Sequence, residues 1–311
     1  MPTCPDGLGL LLGAAADALT GDPRRGHPVA AFGRTAAALE RKVYADTRRS
    51  GALFAGICVA GVAALGLAAQ RATRGRPVAR TAVTAVATWT VLGGTSLGRE
   101  GTAMARAMRH GDLDAARARL GHLCAREPDG LDEAGLTRAT VESVAENTSD
   151  AVVAPLLWGA VAGIPGLLAY RAINTLDAMV GYRNARYANF GWAAARLDDL
   201  ANWLPARLTA LITVLCAPLA GGSPRRSYET WRRYGSAHPS PNAGRCEAAV
   251  AGALGVRLGG ANAYDGHTER RPELGDGRRP EIADITRAVR LARAATLVAV
   301  LAAATVRWVR R

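Results

Sequence analysis

Long uncharged apolar segments constrain this chain more than any other feature of its sequence. The strongest is GALFAGICVAGVAALGLAAQ, which occupies residues 51–70 and contains no charged residue. A helix that crosses the hydrocarbon core of a bilayer needs about 20 mostly apolar residues, because each residue advances it by about 1.5 Å. Residues 51–70 therefore predict a membrane-spanning helix.

Further segments carry the same pattern less completely, at 7–21, 78–98, 151–170, 203–222 and 294–309. Residues 151–170 are uncharged but interrupted by Pro155, Gly163 and Pro165. We expect that segment to be re-entrant or to pack at the membrane interface. The sequence predicts an all-α, polytopic integral membrane protein with about four to five apolar membrane segments, organised as one domain over residues 1–311.

The composition agrees with helices packed through small residues. The chain is 49% hydrophobic but only 5% aromatic, which suits close helix packing better than a β-rich core. Its mean hydropathy of +0.04 indicates a membrane protein with large polar parts. We expect the polar regions 99–150 and 223–293 on the cytoplasmic side of the cell membrane; a soluble helical bundle is the alternative.

Charge and cysteine usage exclude several function classes. The formal net charge is +13, yet the arginines are spread over nearly every polar segment and no basic helix is interleaved with aromatic residues. This pattern disfavours nucleic-acid binding. Lys42, the sole lysine, is followed by valine, so the chain has no P-loop. The five cysteines form no C-x-x-C pair and no zinc pattern is present.

Two polar clusters precede or follow apolar segments in the first half of the chain. GDPRRGHPVAAFGR, residues 21–34, presents Asp22 and His27, each followed by a proline that stiffens the loop. ESVAENTSD, residues 142–150, spaces three acids at intervals of four, which places them on one helical face. These acids are interpreted as a solvated face, a helix-start pattern with Ser149 and Asp150 as the cap, or a cation site.

The third and fourth clusters lie in the second half of the chain. The third spans 171–207 and predicts two helices separated by a turn at Gly181. Its candidate ligand-binding residues are Asn174, Asp177, Tyr182, Arg183, Asn184, Asp198, Asp199 and Asn202. The fourth begins with HPSPN, a loop stiffened by two prolines, and continues into an Ala-rich helix. Its candidates are His238, Ser240, Asn242, Arg245 and Glu247. Such polar groups at a membrane edge are costly unless they are paired or liganded.

Together these clusters resemble the CobD/CbiB family, the membrane-associated adenosylcobinamide-phosphate synthases of cobalamin biosynthesis. The resemblance rests on DALTGDPRRGHPVAAFGR, VESVAENTSDAVVAPLLW, AINTLDAMVGYRN, YANFGWAAARLDDLANWLPARLTA, HPSPNAGRCEAAVAGALGVRLGG and LGDGRRPEIADITRA. These motifs occur in order over residues 10–290. The segment GANAYDGHTERR departs from the family pattern, in which more aromatic and lysine residues are expected, and this departure puts any role of Tyr264 in doubt.

The resemblance implies a ligase-type amide synthase. It would join the corrinoid adenosylcobyric acid to (R)-1-amino-2-propanol or its O-phosphate, with ATP as co-substrate and Mg²⁺ as cofactor. Other late enzymes of the cobalamin pathway are the implied partners. Arginines would clamp phosphate groups, and Mg²⁺ would offset phosphate charge.

Residue roles follow from this reaction as hypotheses. The metal candidates are Glu146, Asn147, Asp150, Asp198 and Asp199. The catalytic candidates are His27, His238 and Asp177, of which a histidine would take the proton from the amine. The substrate- or phosphate-binding candidates are Asp22, Asn174, Tyr182, Arg183, Asn184, Ser240, Asn242, Arg245 and Glu247. Glu142 is expected to be a solvated acid. The alternatives are a membrane prenyltransferase that binds Mg-diphosphate and a non-enzymatic sensory protein.

Overall fold

The computed structural model describes residues 4–22, 26–124, 128, 130–264 and 267–310, with residues 261–264 and 267–270 described through their backbone. The chain folds into helices and one hairpin: α1 Pro5–Thr20, α2 Pro28–Val43, α3 Arg48–Ala72, α4 Pro77–Val91, α5 Gly94–Arg109, α6 Leu113–Leu120, α7 Glu133–Thr148, α8 Ala154–Ala162, α9 Ile164–Val180, α10 Trp192–Ala201, α11 Trp203–Cys216, α12 Pro224–Tyr234, α13 Ala243–Leu254, β1 Leu258–Tyr264, β2 His267–Leu274 and α14 Ile282–Val309.

The chain divides into two compact units, each built from non-contiguous segments. Unit 1 comprises Met1–Gly93, Asp150–Asn202 and Ala299–Arg311, and unit 2 comprises Gly94–Ser149 and Trp203–Val298. Unit 1 has a core around Phe54 and Phe190, and unit 2 has a larger core of mostly aliphatic residues. The sequence prediction treated the same 311 residues as one domain, because no linker separates the segments.

Three helices in the described part of the chain are long and apolar enough to cross a bilayer. They are Arg48–Ala72, Trp203–Ala220 and Ile282–Val309. Each contains one of the predicted segments, namely 51–70, most of 203–222, and 294–309. On α3, the side chains of Leu53, Ile57 and Leu65 are 47–67% exposed. Exposed leucines along such a helix suit a lipid environment, so the three helices indicate a membrane protein.

The other predicted membrane segments form shorter helices. The 16-residue α1 covers most of 7–21 and is about 24 Å long, below the roughly 30 Å of a hydrocarbon core. The prediction of one continuous segment over residues 78–98 was wrong, because α4 ends at Val91 and α5 begins at Gly94. Residues 151–170 are broken at Gly163, whose φ of +70° ends α8. That break was predicted; the membrane placement of this segment stays a prediction.

Small residues let α1 and α4 pack closely in unit 1. A Cβ added to Gly9 would lie 2.5 Å from the Cβ of Thr84, and one added to Gly13 would lie 2.5 Å from the carbonyl oxygen of Ala85. Both distances are far below van der Waals contact, so these positions admit glycine alone. The spacing Gly9-x-x-x-Gly13 is the small-residue pattern that brings helix backbones together.

The described residues are mainly helical, as predicted, and unit 2 adds one antiparallel hairpin to the helices. Strands β1 and β2 pair from Leu258 with Leu274 to Tyr264 with His267, with an irregularity between Leu258 and Gly260. The sequence of β1, LGGANAY, has little of the β-branched alternation that marks a strand. Tertiary contacts therefore decide its conformation.

Glu142 supplies one of those contacts, so the expectation that it is solvated was wrong. It is 3% exposed, and the Gly259 backbone N–H donates to its Oε1 over 2.6 Å. Arg138 lies one turn earlier on α7, with its Nε 3.8 Å from the same oxygen, and its Nη1 donates to the Gly259 carbonyl over 2.6 Å. The pair satisfies both polar backbone groups of Gly259 and fixes the start of β1.

The stretch ESVAENTSD is also continuous with the structure that follows it. Residues Ser149–Val153 form a π-helical turn between α7 and α8. The N-cap of α8 is Val153, with Pro155 near the helix start. Helix-start preferences had predicted that Ser149 and Asp150 cap the apolar helix. They do not, because the helix begins four residues after Asp150. Single π-helical turns inside helices are often found at functional sites.

Candidate functional site

Unit 1 brings four predicted or noted polar residues into one carboxylate–amide cluster, formed by Asp150, Asn174, Asp198 and Asn202. The Nδ2 of Asn174 lies 3.3 Å from Asp150 Oδ2 and 3.4 Å from Asp198 Oδ1. The Nδ2 of Asn202 donates to Asp198 Oδ2 over 3.0 Å. Asp150 and Asp198, each 24 positions from Asn174 along the chain, thus share one amide donor.

The carboxylate–amide cluster is fixed by a fully buried tyrosine. Tyr170 is 2% exposed, and its hydroxyl donates to Asn202 Oδ1 over 2.8 Å. Asn202 is also 2% exposed and ends α10. The hydrogen bond from Tyr170 fixes the orientation of the Asn202 amide, and that amide in turn holds the carboxylate of Asp198 in one orientation.

Arg171 supplies positive charge at the edge of the same cluster. Its Nη1 donates to Asn174 Oδ1 over 3.2 Å, and its Nε donates to the Val91 carbonyl over 2.9 Å. Its guanidinium also interacts electrostatically with Asp150 and Asp22. Asp22 lies close by, with Oδ2 4.0 Å from the position that a Cβ on Gly93 would occupy. Asp22 was predicted to bind substrate, and the fold brings it toward Arg171.

Two of the predicted metal ligands, Asp150 and Asp198, therefore lie together. Among the described residues no group of three His, Cys, Asp or Glu side chains is placed to hold a metal ion. Mg²⁺, however, is usually bound by one or two carboxylates together with waters and substrate phosphates. The carboxylate–amide cluster offers hard oxygen donors, so its chemistry fits Mg²⁺ brought with a nucleotide.

Asp177 and Asp199 lie on the same helices but outside the cluster. Asp177 is half-buried near the end of α9, and its carbonyl accepts the Gly181 N–H over 2.7 Å. Asp199 pairs with Arg196 at 3.4 Å. Partial burial raises the pKa of Asp199, while the charges of Arg196 and Arg183 oppose that shift. The adjacent residues Asp198 and Asp199 thus have different partners, an amide for Asp198 and a guanidinium for Asp199.

Tyr182, Arg183 and Asn184 form the predicted turn after α9. All three are exposed, and the Asn184 side chain accepts the Tyr187 N–H over 2.9 Å. Asn184 therefore stabilises the turn itself. Arg183 is close enough to Asp199 to interact electrostatically with it. The turn is accessible to a soluble ligand, which its predicted phosphate-binding role requires.

Unit 2 places most of the fourth cluster in the His238 loop, residues 238–242, ahead of α13. His238 is 9% exposed, and its Nδ1 accepts the Ser240 N–H over 3.0 Å. Its Nε2 faces Glu247 Oε1 at 4.0 Å and Arg271 Nη1 at 3.3 Å. Because a guanidinium only donates, the Arg271 contact needs the lone pair on Nε2, whereas the Ser240 contact needs it on Nδ1, so the two contacts call for opposite tautomers of the neutral imidazole. Ser240 Oγ accepts the N–H groups of Asn242 and Ala243 at 3.3 and 3.2 Å.

The start of α13 and the last turn of α12 each contribute one buried nitrogen donor. Among the described residues, Arg245 Nε and Trp231 Nε1 are buried without a hydrogen-bond partner. Both side chains lie against Gly235, with Arg245 Cδ at 3.2 Å and Trp231 Cδ1 at 2.9 Å from a Cβ built there. Buried donors normally have acceptors, so this corner of unit 2 is suited to an anionic ligand. Glu247 and Asn242, 3% and 6% exposed, are buried nearby on or beside α13.

His27 makes the same local contact as His238. It is the N-cap residue of α2, and its Nδ1 accepts the Val29 N–H over 3.1 Å. A neutral imidazole whose Nδ1 lone pair is occupied can donate through Nε2 but has no second lone pair to accept a proton. For His27 this geometry favours a donor or structural role over that of a base.

Glu146 and Asn147 belong to unit 2, whereas Asp150 belongs to unit 1. Asn147 is committed to local structure, because its Nδ2 donates to the carbonyls of Ser143 and Leu123 at 2.8 and 3.3 Å. Glu146 is half-buried on α7. Their metal-binding role stays a prediction.

Sequence reasoning missed Tyr170, Arg171, Arg138 and Trp231. Tyr170 was treated as the end of an apolar segment, although a tyrosine there needs a partner for its hydroxyl. Arg171 lies three residues before Asn174, on the same helical face, and that spacing could have identified it. Arg138 likewise lies four residues before Glu142.

The fold and the site define a helical protein. Its described ranges contain three helices able to cross a bilayer and a polar site of carboxylates and amides. Residues 10–292 match the sequence model of the CobD/Cbib protein family. The chain therefore belongs to the CobD/CbiB family, as the sequence motifs indicated, and has a role in cobalamin biosynthesis.

Curated relatives agree over nearly the whole chain. A protein of Mycobacterium tuberculosis H37Rv named cobalamin biosynthesis protein CobD is 54% identical over 287 residues, which cover 92% of this chain and 91% of the relative. Proteins of the same name from Geobacter metallireducens and Clostridium perfringens are 45% and 35% identical. They cover 96% and 89% of this chain, and 96% and 90% of their own lengths. No solved structure matches the chain.

Proposed function

We propose that this protein forms the amide bond between adenosylcobyric acid and (R)-1-amino-2-propanol or its O-phosphate, with consumption of ATP. Membership of a cobalamin biosynthesis family supports a corrinoid substrate. The observation that carries the enzymatic proposal is the carboxylate–amide cluster, in which Asn174 bridges Asp150 and Asp198 at 3.3 and 3.4 Å. A protein without a ligand has little reason to orient two carboxylates beside two amides.

The reaction needs activation of a carboxyl group before an amine can attack it. Transfer of a phosphoryl group from ATP converts the carboxylate oxygen into a leaving group, and the amine then displaces phosphate. Mg²⁺, when bound with the nucleotide, would offset charge on its phosphates. Asp150 and Asp198 are the residues that would hold it, because a carboxylate oxygen of each contacts the same Asn174 side-chain amide.

Phosphate recognition without a P-loop must come from other donors. The buried Nε of Arg245 and Nε1 of Trp231, both without a partner among the described residues, support a phosphate-binding role for this corner of unit 2. Arg183, exposed after α9, is the corresponding candidate in unit 1. Guanidinium groups suit phosphate because they present several N–H donors in one plane.

The attacking amine must be neutral, since an ammonium ion has no lone pair. His27 and His238 use Nδ1 to accept backbone N–H groups, and Nε2 of His238 also lies 3.3 Å from the donor Arg271 Nη1. Asp177, a half-buried carboxylate, can accept a proton and is the better candidate base. We expect the chain to lie in the cell membrane with the site on the cytoplasmic side, where ATP is available.

The experiment is an assay of full-length protein in membranes with adenosylcobyric acid, ATP, Mg²⁺ and each amine donor in turn. We expect an amide product with one of the donors and no product when ATP is omitted. Absence of product with both donors, together with normal corrinoid binding, would contradict the synthase proposal. A prenyltransferase would instead consume a prenyl diphosphate and ignore the corrinoid.

A deletion strain gives an independent test. We expect it to make cobalamin from added cobinamide but not from cobyric acid, and the gene to restore the second route. An Asp114→Asn variant serves as the matched control, because Asp114 is exposed on α6 and pairs locally with Arg117. Normal cobalamin synthesis from cobyric acid in the deletion strain would contradict the proposed synthase activity.

A further inference from the structure

Two of the candidate membrane-crossing helices end at the same place in unit 1. Gln70, in the last turn of α3, and Arg307, in the last turn of α14, both lie against Gly163: its added Cβ would be 2.5 Å from Gln70 Oε1 and 3.5 Å from Arg307 Nη2. Trp308 is 40% exposed one residue later. Tryptophan and arginine at the ends of apolar helices mark the boundary between lipid and water.

A basic pocket of about 530 Å³ opens at this boundary. It lies at the turn between α3 and α4, and its polar and charged walls are formed by Asp6, Gln70, Arg71, Thr73, Arg74, Arg76 and Arg80. The stretch from Arg71 to Arg80 contains four arginines and no acid. The pocket therefore concentrates positive charge where a spanning helix leaves the bilayer.

One acid in the pocket is already neutralised. Asp6 accepts from Arg80, whose Nη2 is 3.0 Å from Asp6 Oδ2, and it also pairs with Arg307. The Nη1 of Arg80 donates in addition to the Gln70 carbonyl over 2.8 Å. These contacts fix the floor of the pocket and leave it with a net positive charge.

Three other arginines of the pocket differ from Arg80 in this respect. Arg71, Arg74 and Arg76 are exposed, and no acid within the described ranges pairs with any of them. Arg76 is the N-cap residue of α4 and its side chain makes no capping hydrogen bond. The first turn of α4 thus adds a weakly positive helix end to three guanidinium groups. An anionic group of phosphate size fits this combination.

We propose that the basic pocket binds the phosphate of an anionic membrane phospholipid. The lipid would anchor the α3–α4 turn at the membrane surface, with its acyl chains along the exposed leucines of α3. The inference stands independently of the amide-synthase proposal, because it uses none of the residues of the carboxylate–amide cluster.

The test uses detergent-purified full-length protein and native mass spectrometry, with phosphatidylglycerol or phosphatidylcholine added. We expect retention of phosphatidylglycerol in preference to phosphatidylcholine. An Arg74→Gln/Arg76→Gln variant is expected to bind phosphatidylglycerol roughly 30-fold more weakly, on the basis of about fivefold for each arginine at a membrane surface. An Arg74→Lys/Arg76→Lys variant keeps the charge and should keep most of the binding.

The matched control is Arg106→Gln/Arg109→Gln, which removes the same charge from exposed positions on α5 and should bind like the wild-type chain. Equal retention of the two lipids, or an equal loss in both glutamine variants, would overturn the proposal. Binding of inorganic phosphate as tight as that of phosphatidylglycerol would also overturn it, because the pocket would then be a site for a soluble anion.

Discussion

The two units use polar side chains differently. In unit 1 the carboxylate–amide cluster joins side chain to side chain, as in the contact of Asn174 with Asp198 at 3.4 Å. In unit 2, Glu142 and His238 accept from backbone N–H groups at 2.6 and 3.0 Å. Side chains that bond to backbone position a strand or loop, whereas side chains that orient one another present atoms to a ligand. The comparison predicts that unit 1 substitutions act on activity and that these unit 2 substitutions act on stability.

The largest expected effect is that of Asp198→Asn. It removes one carboxylate of the cluster but keeps the side-chain shape, so we expect product formation to fall on the order of 100-fold while thermal stability changes little. Steady-state assay of the amide product, with Asp114→Asn as control, measures this. Near wild-type activity in properly inserted Asp198→Asn protein would break the assignment of unit 1 as the reacting site.

Glu142→Ala should mainly destabilise unit 2. The substitution leaves the Gly259 N–H without its acceptor and Arg138 without its nearby carboxylate, and such losses cost about 3 kcal/mol. We expect lower thermal stability and faster amide hydrogen exchange in β1. Glu142→Gln keeps an acceptor and should lose less. If both variants unfold like the wild-type chain yet lose activity, Glu142 belongs to the reaction and the comparison fails.

His238 sharpens the comparison because it was predicted to be catalytic. An asparagine at this position can also accept the N–H two residues ahead, so His238→Asn should retain most stability and most activity. His238→Ala should cost about 1–2 kcal/mol in the free energy of unfolding. A His238→Asn protein that is stable but inactive would restore the histidine to a catalytic role.

The smallest effect is expected at Asp199, beside the cluster but outside it. Burial raises the pKa of this carboxyl, so the folded state disfavours its charged form and loses stability as pH rises through the range between the unfolded and folded pKa values. Asp199→Asn removes that penalty and should stabilise the protein slightly, within about 0.5 kcal/mol. Thermal unfolding at pH 4 and pH 7 should show the gain at pH 7; a clear loss of stability there would contradict it.

Local sequence was sufficient for features that depend on a few neighbouring residues. Residues 51–70 predicted a helix because twenty uncharged apolar residues have few other stable structures in a bilayer. Gly163 was expected to interrupt its segment, and it does so with a positive φ. The motifs from GDPRRGHP to HPSPNAGR identified the family, because a series of motifs in a fixed order can be recognised from the sequence without knowledge of the fold.

Distance between segments was the part that local patterns could not supply. Spacing alone grouped Glu142, Glu146 and Asp150 on one face, yet Glu142 is buried against Gly259 and Asp150 lies beside Asn174. Residues Ser149–Val153 form a π-helical turn, and a four-residue spacing of acids does not anticipate that interruption of the α-helical repeat.

The sequence by itself determined a helical membrane-type chain of the CobD/CbiB family, because hydrophobic length and ordered motifs are local properties. The tertiary structure alone decided which acids share a site, which histidine nitrogens are occupied and where the arginines of the α3–α4 turn collect. Those properties depend on contacts between residues far apart in the chain, where burial and hydrogen-bond geometry select one partner among many.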